Sequence, residues 1–370
     1  MKKLKITSAF GTRPEAVKMC PLMLELMKRR EIELRIVSSG QHRELCREVT
    51  DFFGICPHKD LCVMKKGQSL SAMTQRIISG MTEELKEHPT DILLVHGDTT
   101  TALAAALAAF YMGIRVGHVE AGLRTNDLFS PFPEEFNRRG VDAMSFCHFA
   151  PTEPAAENLI REGIEPRRVF VTGNTVVDAL AYTLSSAPPK DKGDGKLLLV
   201  TLHRRESRGE DMRNILRAVK RASVEMSDLR VILPAHPAHE VREAIGEVLT
   251  DDMTNIKICE PLPLPEFHRL LNEADLILTD SGGIQEEAVS LGKPLLLARE
   301  TTERPEGIES GFVTLVGRNE EKIFEAILDS IEGRSSCRAR PSKNPFGDGN
   351  ASKKIADILL SLPLEKSAVL

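Results

Sequence analysis

The chain has 370 residues, enough for two domains that each bury a core of their own. Hydrophobic residues make up 41% and charged residues 28%, which excludes an intrinsically disordered chain. The net charge of -5, the absence of Trp and the presence of only two Tyr weigh against a general nucleic-acid binder. No apolar run approaches the ~20 residues that span a bilayer. Lys2 and Lys3 are followed by no apolar stretch long enough for a secretory signal. Seven cysteines with no CxxC spacing exclude a disulfide scaffold and a zinc ribbon, and they suit a reducing cytoplasm.

In chain order, short apolar runs alternate with amphipathic stretches. The runs 4–9, 34–38, 92–95, 115–119, 146–150 and 169–172 read as strands, followed by a second series at 197–201, 230–233, 256–259, 276–279, 294–297 and 313–316. Helical patterns lie between them, among them 16–29, 69–87, 211–225 and 265–272, and an Ala-rich buried helix over 102–112. This alternation implies parallel sheets covered by helices on both faces. A polar stretch rich in Pro and Gly at 185–195 interrupts the pattern. The expected fold is α/β, with two doubly wound Rossmann-like domains, 1–172 and 173–350, and a cleft between them. In such sheets ligands bind beyond the C-terminal ends of the strands.

Polar residues collect at those ends. The first strand runs into Gly11-Thr12-Arg13-Pro14-Glu15, where Thr12 and Glu15 fit a capping box and Pro14 suits a first turn. Arg13 and Lys18 then fall near a helix N-terminus, which favours anions. Asp98 follows the third strand and Glu120 the fourth. Pro131-Phe132-Pro133 stiffens a loop that brings Glu134 and Glu135 to a helix start. Taken alone, Asp98 also suits an N-cap. Acids crowded into one cleft have their pKa values pushed apart, and one site can then hold both an acid and a base. In the second half, His203-Arg204-Arg205 follows a strand and suits a phosphate or a catalytic role, while His236 stays ambiguous. Asp280-Ser281-Gly282-Gly283 between strand and helix lets backbone N–H groups approach phosphate, with Glu287 placed to accept from ribose hydroxyls. Arg304 adds a cation to the same rim. No GxGxxG or GxxxxGK[ST] is present, and no His/Cys/Asp cluster has metal-ligand spacing.

The ordered set GTRPEAVKM, VHGDTTT, HVEAGLRT, PFPEEFNR, TGNTVVDA, HRRES, DSGGIQEEA and TTERPEG resembles the non-hydrolysing UDP-N-acetylglucosamine 2-epimerases, from Gly11 to about Ser352. The resemblance implies a glycosyltransferase-B-type fold whose C-terminal helix, about 351–370, packs back on the first domain. It implies reversible conversion of UDP-GlcNAc to UDP-ManNAc in a cytoplasmic homodimer with no cofactor and no metal, feeding surface polysaccharide. Under it Asp98, Glu120, Glu134 and His203 take the catalytic positions. Arg13, Lys18, Phe267, Ser281, Gly282, Gly283, Glu287 and Arg304 take those that bind the nucleotide sugar. Gln41, His42, Glu44 and Gln68 resemble the site where bacterial members bind a second UDP-GlcNAc as activator, though Ala238 stands where those members often carry Asn. Chemically, C2–H of the sugar becomes removable once the C1–O bond breaks, so elimination of UDP to a 2-acetamidoglucal and re-addition is the expected route. A hydrolysing epimerase that releases ManNAc and UDP, an epimerase of another UDP-amino sugar, and a non-catalytic nucleotide-sugar sensor are the alternatives.

Overall fold

The computed structural model describes residues 3–186, 193–203, 209–249, 253–334 and 344–363. Runs of Leu, Ile and Val that are apolar on both faces are satisfied only where helices cover both sides of a sheet. Strands β1 (Leu4–Phe10), β2 (Ile32–Ser38), β3 (Lys59–Asp60), β4 (Ile92–His96), β5 (Arg115–Val119), β6 (Cys147–Ala150) and β7 (Val169–Val171) form a seven-stranded sheet in the order β3-β2-β1-β4-β5-β6-β7. Strands β8 (Lys196–Thr201), β9 (Leu229–Pro234), β10 (Ile256–Cys259), β11 (Leu276–Thr279), β12 (Leu295–Leu297) and β13 (Val313–Leu315) form a six-stranded sheet in the order β10-β9-β8-β11-β12-β13. Every pairing in both is parallel.

All the strands anticipated from apolar runs are present, with ends shifted by at most two residues. β3 was not anticipated, because two residues paired only through Val37–Lys59 and Ser38–Asp60 carry no periodicity. The first helix, Arg13–Met27, begins three residues before the expected 16, since Thr12 is its N-cap and Pro14 lies in its first turn. Of the polar break at 185–195, residues 187–192 lie outside the described residues, as do Arg204 and Arg205.

The chain divides into two compact units, Met1–Ala179 with Phe346–Leu370, and Leu180–Pro345. The division falls within the helix Thr175–Ser186. In the first unit the Ala-rich helix Thr100–Tyr111 buries Ala102, Ala104, Ala105, Ala106, Ala108 and Ala109, whose small side chains let it lie close to the sheet and to the helix Leu70–Glu87. The returning helix Ala351–Ser361 packs on Arg13–Met27 and buries Ile355 and Leu359 fully. Its N-terminus is capped by the Asp178 carboxylate, which accepts from the Ala351 and Ser352 N–H groups at 3.2 and 2.8 Å. The second unit has its own core, built on Leu198, Val200, Ile215, Leu216, Val231 and Leu278.

Each sheet has one place where the strand order reverses. In the first this is between β1 and β4, and in the second between β8 and β11. Loops leaving such neighbours diverge to opposite faces and open a crevice for a ligand.

Candidate active site

In the first unit the crevice is bounded by the loops after β1 and β4, with the loop after β5 alongside. Gly11 ends β1 because nothing larger fits: a Cβ there would lie 2.1 Å from Ser39 Oγ and 2.3 Å from Thr101 Oγ1. Glu15 reaches back from the first helical turn. Its Oε2 accepts from the Gly11 and Thr12 N–H groups at 3.0 and 2.7 Å and from the Thr12 hydroxyl at 2.8 Å. Its Oε1 accepts from the Thr99 hydroxyl at 2.7 Å, so one carboxyl ties together the ends of β1 and β4. Burial outweighs these donors and pushes the Glu15 carboxyl up to about 7. Arg13 is half-buried at the first position of the helix.

Glu120, at the end of β5, has a positive φ of 64°, an uncommon conformation for a residue with a long side chain. Its carboxylate is buried and ion-paired with Lys18, which is buried too. Asn174 Nδ2 donates to the same Oε2 at 2.6 Å, and His96 Nε2 lies 3.9 Å from it. Burial pushes the His96 imidazole down to about 4, against the pull of Glu120, so the ring is neutral at pH 7. Lys18 therefore belongs to the acid cluster and does not stand as a surface cation.

Asp98 does not cap the helix that follows it. The N-cap is Thr99, whose hydroxyl accepts from the Ala102 N–H at 3.0 Å. The Asp98 side chain pairs with Arg138, and its carbonyl accepts from Asn137 Nδ2 at 2.9 Å. Both partners lie on the helix Glu134–Met144, which docks by this route against the end of β4. Glu134 is the first residue of that helix and is half-buried, four residues before Arg138 and on the same face. Its neighbour Glu135 is fully buried and accepts from the Thr125 N–H, Arg138 and Arg139, which makes it an anchor of the loop. Behind the site, His118 lies 2.8 Å from the Gly97 carbonyl and 2.6 Å from Asp142. Burial opposes ionisation of Asp142, but His118 and Arg124 outweigh it and hold that carboxyl below its usual range.

At the second crevice, Asp280 follows β11, is fully buried, and accepts from the His203 N–H at 3.1 Å. It also lies 3.3 Å from His203 Nδ1, which orients the ring. His236 stacks on His203 with ring centroids 6.2 Å apart. Ser281 is the N-cap of the helix Gly282–Leu291, so the N–H groups of Gly282 and Gly283 open its first turn. A Cβ at Gly283 would meet nothing within 4 Å, so there is room for a ligand to approach the backbone. Glu287 is buried with its Oε1 3.3 Å from His268 Nε2, and its Oε2 has no partner within hydrogen-bonding distance among the described residues. Phe267 is half-buried beside His268. Arg304, expected on the rim, has its guanidinium buried and engaged by Glu286 and Glu303, each at 2.5 Å.

Gln41 accepts from the Thr101 hydroxyl at 3.0 Å, and the His42 N–H donates to the Gly11 carbonyl at 2.7 Å, which places both beside the end of β1. Gln68 donates to Met64 Sδ at 3.1 Å, and Glu44 is exposed on the first turn of the helix Arg43–Phe52. One ligand atom each of Glu84, Glu87 and His88 lie within 4.8 Å of one another, although Glu84 is already paired with Arg35. Glu15, His96, His118, Asn174 and Asp280 were not singled out as site residues from sequence. All but Glu15 lie at strand ends or in the loops that follow, and that position was the one available signal.

Two all-parallel, doubly wound sheets with acids at one crevice and a glycine-opened helix at the other define a Rossmann-like α/β protein of the glycosyltransferase-B type. The sequence model of one family, UDP-N-acetylglucosamine 2-epimerase, matches residues 24–360. The UDP-N-acetylglucosamine 2-epimerase of Bacillus subtilis is 46% identical over 368 residues, covering 97% of this chain and 96% of its own. The crystal structure of the Neisseria meningitidis UDP-GlcNAc 2-epimerase bound to UDP-GlcNAc superposes with a TM-score of 0.92 at 43% identity, covering 97% of this chain and all (100%) of the other. Staphylococcus aureus MnaA, in a co-structure with UDP, gives 0.91 at 41% identity with 100% of both chains covered. The chain belongs to the UDP-N-acetylglucosamine 2-epimerase family.

Proposed function

We propose that this protein is a non-hydrolysing UDP-N-acetylglucosamine 2-epimerase, an isomerase that interconverts UDP-GlcNAc and UDP-ManNAc. The observation that carries the reading is a pair of acids, Asp98 and Glu120, at the neighbouring ends of β4 and β5, each held by its own cation. The relatives of this chain include proteins crystallised with UDP-GlcNAc and with UDP.

The C2 proton of a sugar is not acidic, because no carbonyl adjoins it. As the C1–O bond to UDP breaks, positive charge develops at C1 and C2–H becomes removable. Elimination yields 2-acetamidoglucal and UDP, and re-addition with protonation on the opposite face inverts C2. The departing diphosphate needs positive charge and N–H donors, and Arg13, His203 and the amides of Ser281, Gly282 and Gly283 suit that task. Glu287, with one unsatisfied oxygen, suits the ribose hydroxyls, and Phe267 suits the uracil ring. Two faces of C2 must be served, so two proton-transfer groups are required, drawn from Asp98, Glu120 and Glu134. Lys18 holds the Glu120 carboxylate in place, and Arg138 does the same for Asp98.

The protein works in the cytoplasm as a homodimer and feeds surface polysaccharide synthesis. Phe110 and Tyr111, 54% and 74% exposed at the end of a helix, are apolar surface of the kind a second copy covers. Gln41, His42, Glu44 and Gln68 form the activator site. Incubation with UDP-GlcNAc followed by proton NMR tests the reading. UDP-ManNAc carrying solvent deuterium at C2 is the expected product in D2O. Free ManNAc would assign the hydrolysing reaction instead, and retention of the original C2 hydrogen would remove the elimination route.

A further inference from the structure

Among the described residues, Glu120 is held from two directions. Lys18 reaches it from the helix Arg13–Met27, and Asn174 reaches it from the loop after β7, donating from Nδ2 at 2.6 Å. The orientation of the Asn174 amide is set by its own Oδ1, which accepts from the Val176 N–H at 3.1 Å. Asn174 is only 2% exposed. Its backbone is anchored as well, its N–H donating to the Phe346 carbonyl at 2.8 Å. Phe346 begins the segment by which the chain rejoins the first unit. The two backbones touch at glycines: a Cβ on Gly347 would lie 3.0 Å from Gly173 Cα and 3.6 Å from Asn174 N, and Gly347 has a φ of 112°. Side chains would part them.

We propose that Asn174 is a positioning residue for Glu120, and that the returning segment at Phe346 and Gly347 is the seat that holds Asn174 in place. This rests on the reading of Glu120 as a proton-transfer group. Such a group works only when its carboxylate is fixed to within about 0.5 Å of the productive geometry. Lys18 supplies charge on a flexible stem. Asn174 supplies direction, through a short amide with both of its ends occupied, and adds no charge of its own. The returning segment thereby acts on a group placed by β5, and the first unit is complete only after the second has been traversed.

The test uses the full chain and UDP-GlcNAc. Among the described residues, the titratable groups that face Glu120 include Lys18 from the first helix and His96 from β4, with Asp98 two residues beyond His96. Asn174→Asp is isosteric and replaces a neutral donor by a second acid. It should move the acid limb of the kcat/KM profile up by about one pH unit, which a mere loss of folded protein does not do. Asn174→Ala should lower kcat by about tenfold or more. Gly347→Ala should lower it several-fold, and the double variant should be no slower than Asn174→Ala alone, because both act through one contact. An unmoved acid limb in Asn174→Asp, or additive effects in the double variant, overturns the inference. If the wild type is active and Glu120→Gln is not, while the Asn174 variants behave as wild type, only this inference falls. A wild type that makes no UDP-ManNAc overturns the proposed function with it.

Discussion

Burial and charge compete within single side chains at the first crevice. Glu120 and Lys18 are each costly to bury alone and tolerable together, so removing one partner is worse than removing both. Lys18→Ala and Glu120→Gln should each lower kcat by about 10²- to 10⁴-fold, read by the rate of UDP-ManNAc formation, and near-normal turnover in either would take that residue out of the mechanism. Glu15 offers a second measurement. Its carboxyl is raised to about 7 from 4.5, so the folded chain binds a proton that the unfolded chain has released between those values. Its contribution to stability is therefore largest at low pH and falls as pH rises through that window. The unfolding free energy of wild type relative to Glu15→Gln should decline by up to about 1.4 kcal/mol per pH unit from roughly pH 5 to 7 and then level, as followed by urea titration. A flat difference would mean that the four donors hold Glu15 ionised throughout.

Elements place these side chains through their ends. Thr99 joins two of them, since its hydroxyl accepts from the Ala102 N–H to start one helix and donates to Glu15 beside the other. Thr99→Ala should cost about 1–2 kcal/mol in chemical denaturation, more than an ordinary surface cap, because the Glu15 contact is lost with it. A cost near zero would show that the two loops are not tied there. Local pattern made much of this arrangement legible: Gly11, Thr12, Pro14 and Glu15 announce a strand end and a helix start within five residues. Lys18 reads from sequence only as a cation near a helix N-terminus, because its partner lies 102 residues away. The engagement of Arg304 by Glu286 is hidden in the sequence for a similar reason, since Glu286 lies 18 residues upstream on another helix.

At the scale of the whole molecule the returning helix is the notable connection. Leu359 is fully buried in the first unit, although it lies past the end of the second in sequence. Leu359→Ala should destabilise the protein by about 2–5 kcal/mol, seen as an earlier transition in urea. Because the first unit then opens first, UDP-GlcNAc epimerisation should be lost at that transition. Coincident loss of structure and activity supports the arrangement, and retention of activity beyond it would not.

The α/β class, the alternation of strands and helices, and the strand ends where polar residues gather are all legible in the order of the residues. These follow from periodicity and turn chemistry, which act over a few residues and leave a local trace. Which of those residues meet depends on the folded chain. Glu120 is joined to Lys18 and Asn174, Asp98 to Arg138, and His203 to Asp280, across sequence separations on which no periodicity bears. Strand order brings them together, and strand order is settled by which faces of the sheet the helices must cover.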